Sequence, residues 1–514
     1  MSKSSSHQHV AYTRLEEDHD GAVQIKDNGN PNRGNFSSAI EAAGFGRFHV
    51  ILLVVCGWAN MSDAVEILSV SYLLPNASRD MHVSSPQKGL LTSIIFVGML
   101  VGGYFWGSLA DIQGRRQILI YSLACNALFG LLSSVSYNFW LFLLMRFLSG
   151  VGVGGSIPVI FCYFSEFQPS RHRGAMISAL ATFWMAGNIV TAALAWAVIP
   201  RDSFVASMET WRVFVALCCI PAASSVVAFL MMPESPKYLL ERGEETKALN
   251  VMKKMYMQNK GLSKADSYPI RYLIASSKEE KQMMRNDVKR EGYCNQTSSL
   301  FQATSDLFQG PLARTLMSML TIIFSLSFGY YGLWMWFPEL FKRVEMGGSA
   351  CSELKDSVAA PSTDTEDNIY KDGFFTALSN LPGNLVSIFL MDRLGRKFLL
   401  TSSLIISGIS VFFIWFLETR MQVLVVSIIF GAISVVSWNS LSVLSVELYP
   451  TAYRSTALGV QGIFNRTGAI IGSLMFGILI DLHCAVPMIL IAFMLAVGGL
   501  TAFTLPNTTK IELK

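Results

Sequence analysis

The sequence predicts an all-α integral membrane protein, with twelve transmembrane helices arranged as two pseudo-symmetric six-helix halves. Three observations carry this expectation. Hydrophobic residues make up 52% of the chain and charged ones only 15%, against about 25% charged in an average soluble protein. The apolar residues gather in runs, each long enough to cross a bilayer as a helix of about 20 residues. A set of loop motifs recurs at one fixed offset along the chain.

That composition excludes an ordinary cytosolic globule. With 34 Phe, 24 Met and 10 Trp and a mean hydropathy of +0.42, the chain is too apolar for disorder, and its net charge of +4 is too small for a nucleic-acid footprint. The expected partners are the lipid bilayer and a small-molecule substrate, with no nucleic acid. No CxxC pair or histidine spacing forms a metal site, and no cofactor motif is present.

Residues 1–47 are polar and lack the apolar core of a signal peptide, so they are expected to be a disordered cytosolic N-terminus. Candidate spans follow at 48–74, 88–109, 117–136, 140–163, 174–198 and 211–232, then at 314–340, 373–391, 398–417, 421–446, 456–482 and 485–505. An even number of spans puts both termini on one side. Arg115 and Arg116, Arg171 and Arg173, Arg393, Arg396 and Lys397, and Arg454 all fall in loops on that side, which the positive-inside rule makes cytosolic. The halves are therefore 48–232 and 314–505, with a cytosolic tail at 506–514. Between them, 233–313 is a polar linker in which Leu249, Met252 and Met255 recur at helical spacing, the mark of amphipathic cytosolic helices. Residues 342–372, with Gly347, Gly348, Pro361 and the acids Asp364, Glu366 and Asp367, are expected to be a lumenal loop. Cys351 and Cys484 both fall on the lumenal side, where a bridge between them is conceivable.

The repeat is the most specific signal. Asp111 and Asp392, Gly114 and Gly395, Arg115 and Arg396, and Arg116 and Lys397 each differ by 281 positions (392 − 111), giving DxxGR[RK] twice. The same offset relates Gly150 to Gly431, Glu166 to Glu447, Pro169 to Pro450, Arg173 to Arg454 and Gly187 to Gly468. Matching motifs at one spacing imply duplication. Parallel six-helix repeats with a site at the midplane between them are a transporter architecture.

GSLADIQGRR (107–116), RFLSGVGVGG (146–155), PESPKYL (233–239) and MDRLGRK (391–397) resemble the major facilitator superfamily. GGSIPVIFCYFSEF (154–167), FWMAGNIV (183–190), FGYYGLWMWFPEL (328–340), VSWNSLSVLSVELYP (436–450) and AIEAAGFGRF (39–48) are most similar to its synaptic vesicle glycoprotein 2 family. The synaptic-vesicle-two-related proteins are the close alternative, because the large lumenal domain between helices seven and eight is missing here. The resemblance implies the major facilitator fold and a central pocket lined by tryptophans that accepts racetam-type drugs. The family's WNxLD reads Trp438-Asn439-Ser440-Leu441-Ser442 here, so that acid is absent.

Charges inside the hydrocarbon cost about 2.5–3.5 kcal/mol each even on insertion scales, so each one needs a reason. Asp63 and Glu66 lie at i, i+3 in the first span, on one helix face. They are candidates for proton coupling or cation binding, with Arg146 and Arg466 as alternative partners for a fixed contact. Trp184 beside Asn188 and Trp438 beside Asn439 pair an aromatic face with an amide, which suits an amphiphilic ligand. Tyr330, Tyr331, Trp334 and Trp336 are expected to complete that cavity, some of them belonging to the interfacial belt instead. The Gly-x-x-x-Gly pairs at 98/102, 103/107 and 150/154 read as helix packing. Gly107, Asp111, Gly114, Arg115, Arg116, Glu166 and Arg173, with Asp392, Gly395, Arg396, Lys397, Glu447 and Arg454, form a candidate cytosolic gate that separates in one state and closes in the other.

No GxSxG, HExxH, Walker loop or dinucleotide fingerprint is present, so no enzyme is expected. The expected function is secondary active transport of a small polar or charged organic solute by alternating access, with proton coupling through Asp63 and Glu66. The alternative is a transporter-like vesicle protein that regulates secretion, with trafficking adaptors or exocytic proteins bound at its N-terminus, where Tyr12-Thr13-Arg14-Leu15 fits an adaptor signal. The expected location is a secretory or synaptic vesicle membrane or the plasma membrane. Of the glycosylation sequons, Asn76-Ala77-Ser78 is the one expected in a lumenal loop.

Overall fold

The computed structural model describes residues 33–201, 208–261, 268–273, 308, 312–347, 363–449, 451–483 and 485–506. Twelve helices are long and apolar enough to cross a membrane. In order they are Arg47–Asp80, Ser85–Gln113, Arg115–Ser134, Phe139–Ser165, Ser170–Val198 and Thr210–Met231, then Ala313–Trp334, Thr365–Met391, Arg396–Ile414, Arg420–Glu447, Thr456–Leu479 and Ala485–Ala502. They are called here the first to twelfth spans. Cys351, Cys484 and Tyr12 lie outside the described residues.

Helices run further than the apolar runs because backbone hydrogen bonding continues past the first polar side chains. The first span reaches Asp80, so Asn76 is not in a loop but in the last turns of a helix, where Arg79 donates to its Oδ1 at 3.2 Å. Glycosylation at Asn76 would require those turns to unwind. The 342–372 segment is likewise not simply a loop. A helix over Phe337–Gly347 takes its first part, and Thr363–Leu378 begins the eighth span within it. Pro338 sits in the first turn of the former, where its missing N–H leaves no broken bond.

Glycines let the second and fourth spans touch backbone to backbone. A Cβ on Gly98 would stand 2.2 Å from the Phe147 carbonyl oxygen, and one on Gly102 would stand 2.0 Å from that of Val151. Gly150 and Gly154 make the reciprocal approach to Ile95 and Met99. The other half repeats the arrangement at the 281-residue offset, with Gly383 against the Ala432 carbonyl and Gly431 against that of Thr376. At the second-to-third and eighth-to-ninth junctions, Gly114 (φ +104°) and Gly395 (φ +88°) hold left-handed backbone that a side chain disfavours. The sequence repeat is thus a repeat of packing.

On the face that carries the N-terminal region, the first half has a small cap. A helix over Phe36–Ala43 packs with the linker helix Glu245–Lys260. The amide of Asn259 donates to the carbonyls of Ala43 and Gly44 and accepts from the Phe48 N–H. Arg33–Gly34 and Tyr272–Leu273 pair as two short parallel strands beside it. Met252 and Met255 are buried in this cap, as their helical spacing requires, together with Ala248, while Leu249 is only partly buried against it.

Gly98→Val should lower the thermal unfolding midpoint of the purified protein, consistent with an overpacking penalty of about 1–3 kcal/mol. Gly107→Ala, at a position with open space around it, should leave the midpoint unchanged.

Candidate functional site

The first half encloses a buried polar cluster. Asp63 and Glu66 are both essentially without solvent exposure and face the third and fourth spans. Arg146 donates from Nη1 to Glu66 Oε1 at 2.6 Å, and the Ser149 hydroxyl donates to the same oxygen at 2.5 Å. Among the described residues Asp63 has no cation beside it; Ser156 donates to its Oδ2 at 2.6 Å and Asn126 to its Oδ1 at 3.4 Å. The helical spacing therefore aims both carboxylates into one half, away from the seam between halves. Of the two arginines weighed from sequence, Arg146 is the partner of Glu66. Arg466 makes no ion pair among the described residues; its one hydrogen bond is a long one, from Nη1 to the Gly462 carbonyl at 3.3 Å.

At the seam, aromatic rings collect around the seventh span. Tyr330 stacks on Trp334 at 5.2 Å and meets Trp438 edge-on at 6.0 Å, while Tyr331 lies 6.1 Å from Trp438 and 4.8 Å from Phe96 of the other half. Trp438 is thus packed on these tyrosines, not on Trp184, which is partly buried in the same apolar core with no ring partner among the described residues. Asn439 turns away: its Nδ2 donates to Asn384 at 2.7 Å and to Ser387 at 2.6 Å in the eighth span. Asn188 is 2% exposed and its Oδ1 has no partner among the described residues. Trp334 and Trp336 are buried in protein and so do not belong to an interfacial belt.

The candidate gate residues pair within each half. Arg115 lies 3.4 Å from Asp111 and 3.5 Å from Glu166, and Arg396 lies 3.4 Å from Glu447, the same pair 281 positions on. Arg173 donates to the Gln168 carbonyl and Arg454 to that of Tyr449, again the same contact. Arg116 bonds the last carbonyls of the sixth span, at Phe229 and Leu230, as Lys397 bonds those following the twelfth, at Phe503 and Leu505. Glu234 also accepts from the Arg116 N–H, and Ser235 donates to Glu166, tying the linker to the first half. Burial outweighs Ser235 and Arg115 and pushes the Glu166 carboxyl above its ordinary range. Of Asp392, only its backbone position in the helix Asn380–Leu394 is described.

Sequence reasoning missed the contacts that join the halves. Among the described residues, every hydrogen bond and ion pair between the halves lies toward the face opposite the termini. Lys88 meets Glu339 at 2.7 Å, with Glu339 fully buried, and Arg79 meets Glu366 at 2.7 Å. Trp196 donates to Asp367 at 3.0 Å, Lys342 to the Pro75 carbonyl, and Ser71 to that of Trp334. A Cβ on Gly477 would stand 2.6 Å from Gly89 Cα, so the second and eleventh spans touch there. The available signal was Lys88, a lone cation at the head of an apolar run. Burial alone would raise the Glu339 carboxyl, but Lys88, Lys342 and Arg343 outweigh it and hold the group down at about 2.

Two repeated six-helix halves, closed together at one face around an aromatic seam, define a secondary transporter of the major facilitator type. Residues 52–514 match the family described as sugar (and other) transporter, and the chain belongs to it, among the synaptic vesicle glycoprotein 2 relatives. It is 31% identical to synaptic vesicle glycoprotein 2C of Mus musculus, over 91% of this chain and 80% of that one. It is also 31% identical to glycoprotein 2B of Homo sapiens, over 92% and 85%. The alignment with 2C runs over 596 positions, more than the 514 of this chain, so that relative carries inserted residues. The xylose transporter XylE from E. coli, solved in a partially occluded inward open conformation, superposes with a TM-score of 0.68 at 17% identity, covering 91% of this chain and 100% of that one. At that identity the likeness is one of fold.

Glu66→Gln should destabilise the protein by about 3–5 kcal/mol, because it leaves Arg146 as an unpaired buried charge. Asp63→Asn can keep the bond from Asn126 at its Oδ1 and reverse the other, its Nδ2 donating to the Ser156 hydroxyl while that hydroxyl donates to the Val153 carbonyl, so it should cost far less; unfolding midpoints in detergent compare the two. For Glu339, a depressed carboxyl contributes stability above its unfolded value of 4.5 and loses it only as pH falls toward about 2. Closure of that face, read as an unchanged distance between spin labels at Gly174 and Gly459 on the opposite face, should therefore be the same at pH 7 and pH 5.

Proposed function

We propose that this protein moves a small polar or charged organic solute by alternating access, with proton coupling through Asp63 and Glu66. The observation that supports this most is the distribution of contacts between halves: among the described residues, the ion pairs and hydrogen bonds between them lie toward the face opposite the termini. Two rigid halves joined at one face have a ready alternative in which they join at the other. The linker and the Phe36–Ala43 helix mark the terminal face as cytosolic in this reading, so the state described is open to the cytosol. Asp63 supports the coupling: a buried carboxyl with hydroxyl and amide partners but no cation is suited to carrying a proton, and Glu66 and Arg146 beside it set the local field.

The ion pairs of Arg115 with Glu166 and of Arg396 with Glu447 brace each half at the cytosolic rim. In this reading they re-pair across the seam when that mouth closes, which is the gate role. Neighbours named as xylose–proton symporters make D-xylose the first neutral solute to try. Relatives named as synaptic vesicle glycoproteins support a vesicle membrane as the site of action, with N-terminal adaptors as partners.

Proteoliposomes carrying the full chain test this reading. An inward-directed proton gradient should drive accumulation of a transported solute, and Asp63→Asn should abolish gradient-driven accumulation while leaving solute exchange across the membrane. Accumulation that persists in Asp63→Asn would remove the coupling role.

A further inference from the structure

A cavity of about 480 Å³ opens on the outer surface of the second half and is lined by that half alone. It lies at the terminal face, where the start of the ninth span, Arg396–Ile414, meets the end of the twelfth, Ala485–Ala502. Lys397, Thr401 and Ile405 line it from one helix face, since residues four apart stack on the same side. Phe398 and Phe503 form its walls and are both exposed. On membrane-spanning helices, an apolar surface of this kind meets lipid.

Of the two hydroxyls in the cavity, Ser402 donates to the Phe398 carbonyl at 2.8 Å. Thr401 is 4% exposed, and its Oγ1 has no partner among the described residues. Lys397 donates to the carbonyls of Phe503 and Leu505 at 2.8 and 2.6 Å. That leaves one of its three N–H donors, and no described carboxylate forms an ion pair with it.

The first half shows how the same corner is filled there. At the 281-residue offset Lys397 corresponds to Arg116 and Thr401 to Ile120. Glu234, in Pro233-Glu234-Ser235 after the sixth span, accepts from the Arg116 N–H at 3.0 Å, which puts a carboxylate at the N-terminus of the third span. Ile120 packs against the apolar core of the cap. After the twelfth span the chain reads Pro506-Asn507-Thr508, with an amide in the place of that acid. Gly395, the N-cap of the ninth span, supplies no side-chain acceptor. The second half thus combines a helix N-terminus, a lysine and an unpartnered hydroxyl, all facing an apolar cavity.

At 1.5 Å per residue, Lys397, Thr401 and Ile405 descend into the bilayer by about 6 Å per step. Their order of cation, hydroxyl and hydrocarbon matches phosphate, ester and acyl chain in a phospholipid. We propose that the cavity holds one anionic phospholipid from the leaflet at the terminal face. Its phosphate meets Lys397 and the first turn of the ninth span, Thr401 donates to an ester carbonyl, and an acyl chain lies along Ile405, Phe398 and Phe503. No described carboxylate at this corner is placed to receive an ammonium head group, so the lipid carries net negative charge. This site is independent of what the protein transports.

Native mass spectrometry tests it on the purified full chain in detergent, titrated with dioleoylphosphatidylglycerol and dioleoylphosphatidylcholine. These share phosphate and acyl chains and differ in head-group charge. One phosphatidylglycerol should be retained ahead of any phosphatidylcholine. Lys397→Gln should weaken it about fivefold, the change that ~1 kcal/mol per basic residue at an anionic surface represents. Thr401→Leu fills the cavity and removes the unpartnered hydroxyl, so it should displace the lipid while keeping the unfolding midpoint of the parent. That variant decides the matter should Lys397→Gln fail to fold. Equal retention of the two lipids, or phosphatidylglycerol binding unchanged in Lys397→Gln or in Thr401→Leu, would overturn the proposal. Phosphatidylglycerol that binds only after residues 507–514 are removed would also overturn it, because the tail of this chain would then be the occupant.

Discussion

The ion pair between Lys88 and Glu339 is the constraint on which the described state depends. Taking two charges out of water carries a penalty of several kcal/mol per ion, and their attraction offsets it only when geometry and extra partners are good. Here Lys342 and Arg343 add positive charge around one carboxylate, so the pair is set in a surplus of cations. Such a pair is a weak source of stability and a strong source of specificity, since any shift between the halves exposes or separates it. The Gly89 and Gly477 contact beside it works the same way in shape: two backbones meet with no room for side chains, so the arrangement is either made or lost.

Symmetry builds the scaffold, and asymmetry builds the chemistry. The glycine contacts, the helix-junction turns and the bracing arginines recur at the 281-residue offset, because each half must pack and orient its helices in the same way. The charged cluster does not recur. At that offset Arg146 corresponds to Ser427, Ser149 to Phe430 and Asn126 to Ser407, and in the reverse direction Arg466 corresponds to Met185. One half therefore holds a self-neutralised pair with a carboxylate to spare, and the other holds an unpaired guanidinium.

The fold was legible because its causes are local. Apolar runs, loop arginines and a fixed repeat offset depend on neighbours in sequence, and the twelve spans follow from them. The Asp63 and Glu66 pair was legible for the same reason, since i, i+3 spacing fixes a shared helix face. What that face meets was not legible, because Arg146 lies 80 positions from Glu66 and its partner could be read equally as Arg466. The facing tryptophans failed similarly: helix rotation decides whether Trp438 meets Trp184 or the tyrosines of the seventh span, and no motif encodes rotation. Asn76 was misplaced because a polar sequence reads as a loop, although helix hydrogen bonds can carry it through. The latch was invisible because Lys88 and Glu339 sit in different halves, 251 positions apart, and neither belongs to a repeated motif.

The central claim is that two rigid halves rotate about a seam latched by Lys88 and Glu339. Spin labels at Gly174 and Gly459, both positions with open space around them, report the distance between halves at the terminal face, and labels at Gly107 and Gly174 report the first half alone. Pulsed electron resonance on the full chain, with and without Glu339→Gln, measures both. The account predicts that Glu339→Gln adds a shorter population to the Gly174–Gly459 distribution and leaves the Gly107–Gly174 distribution unchanged. An unaltered Gly174–Gly459 distance, or a change confined within the first half, would contradict it.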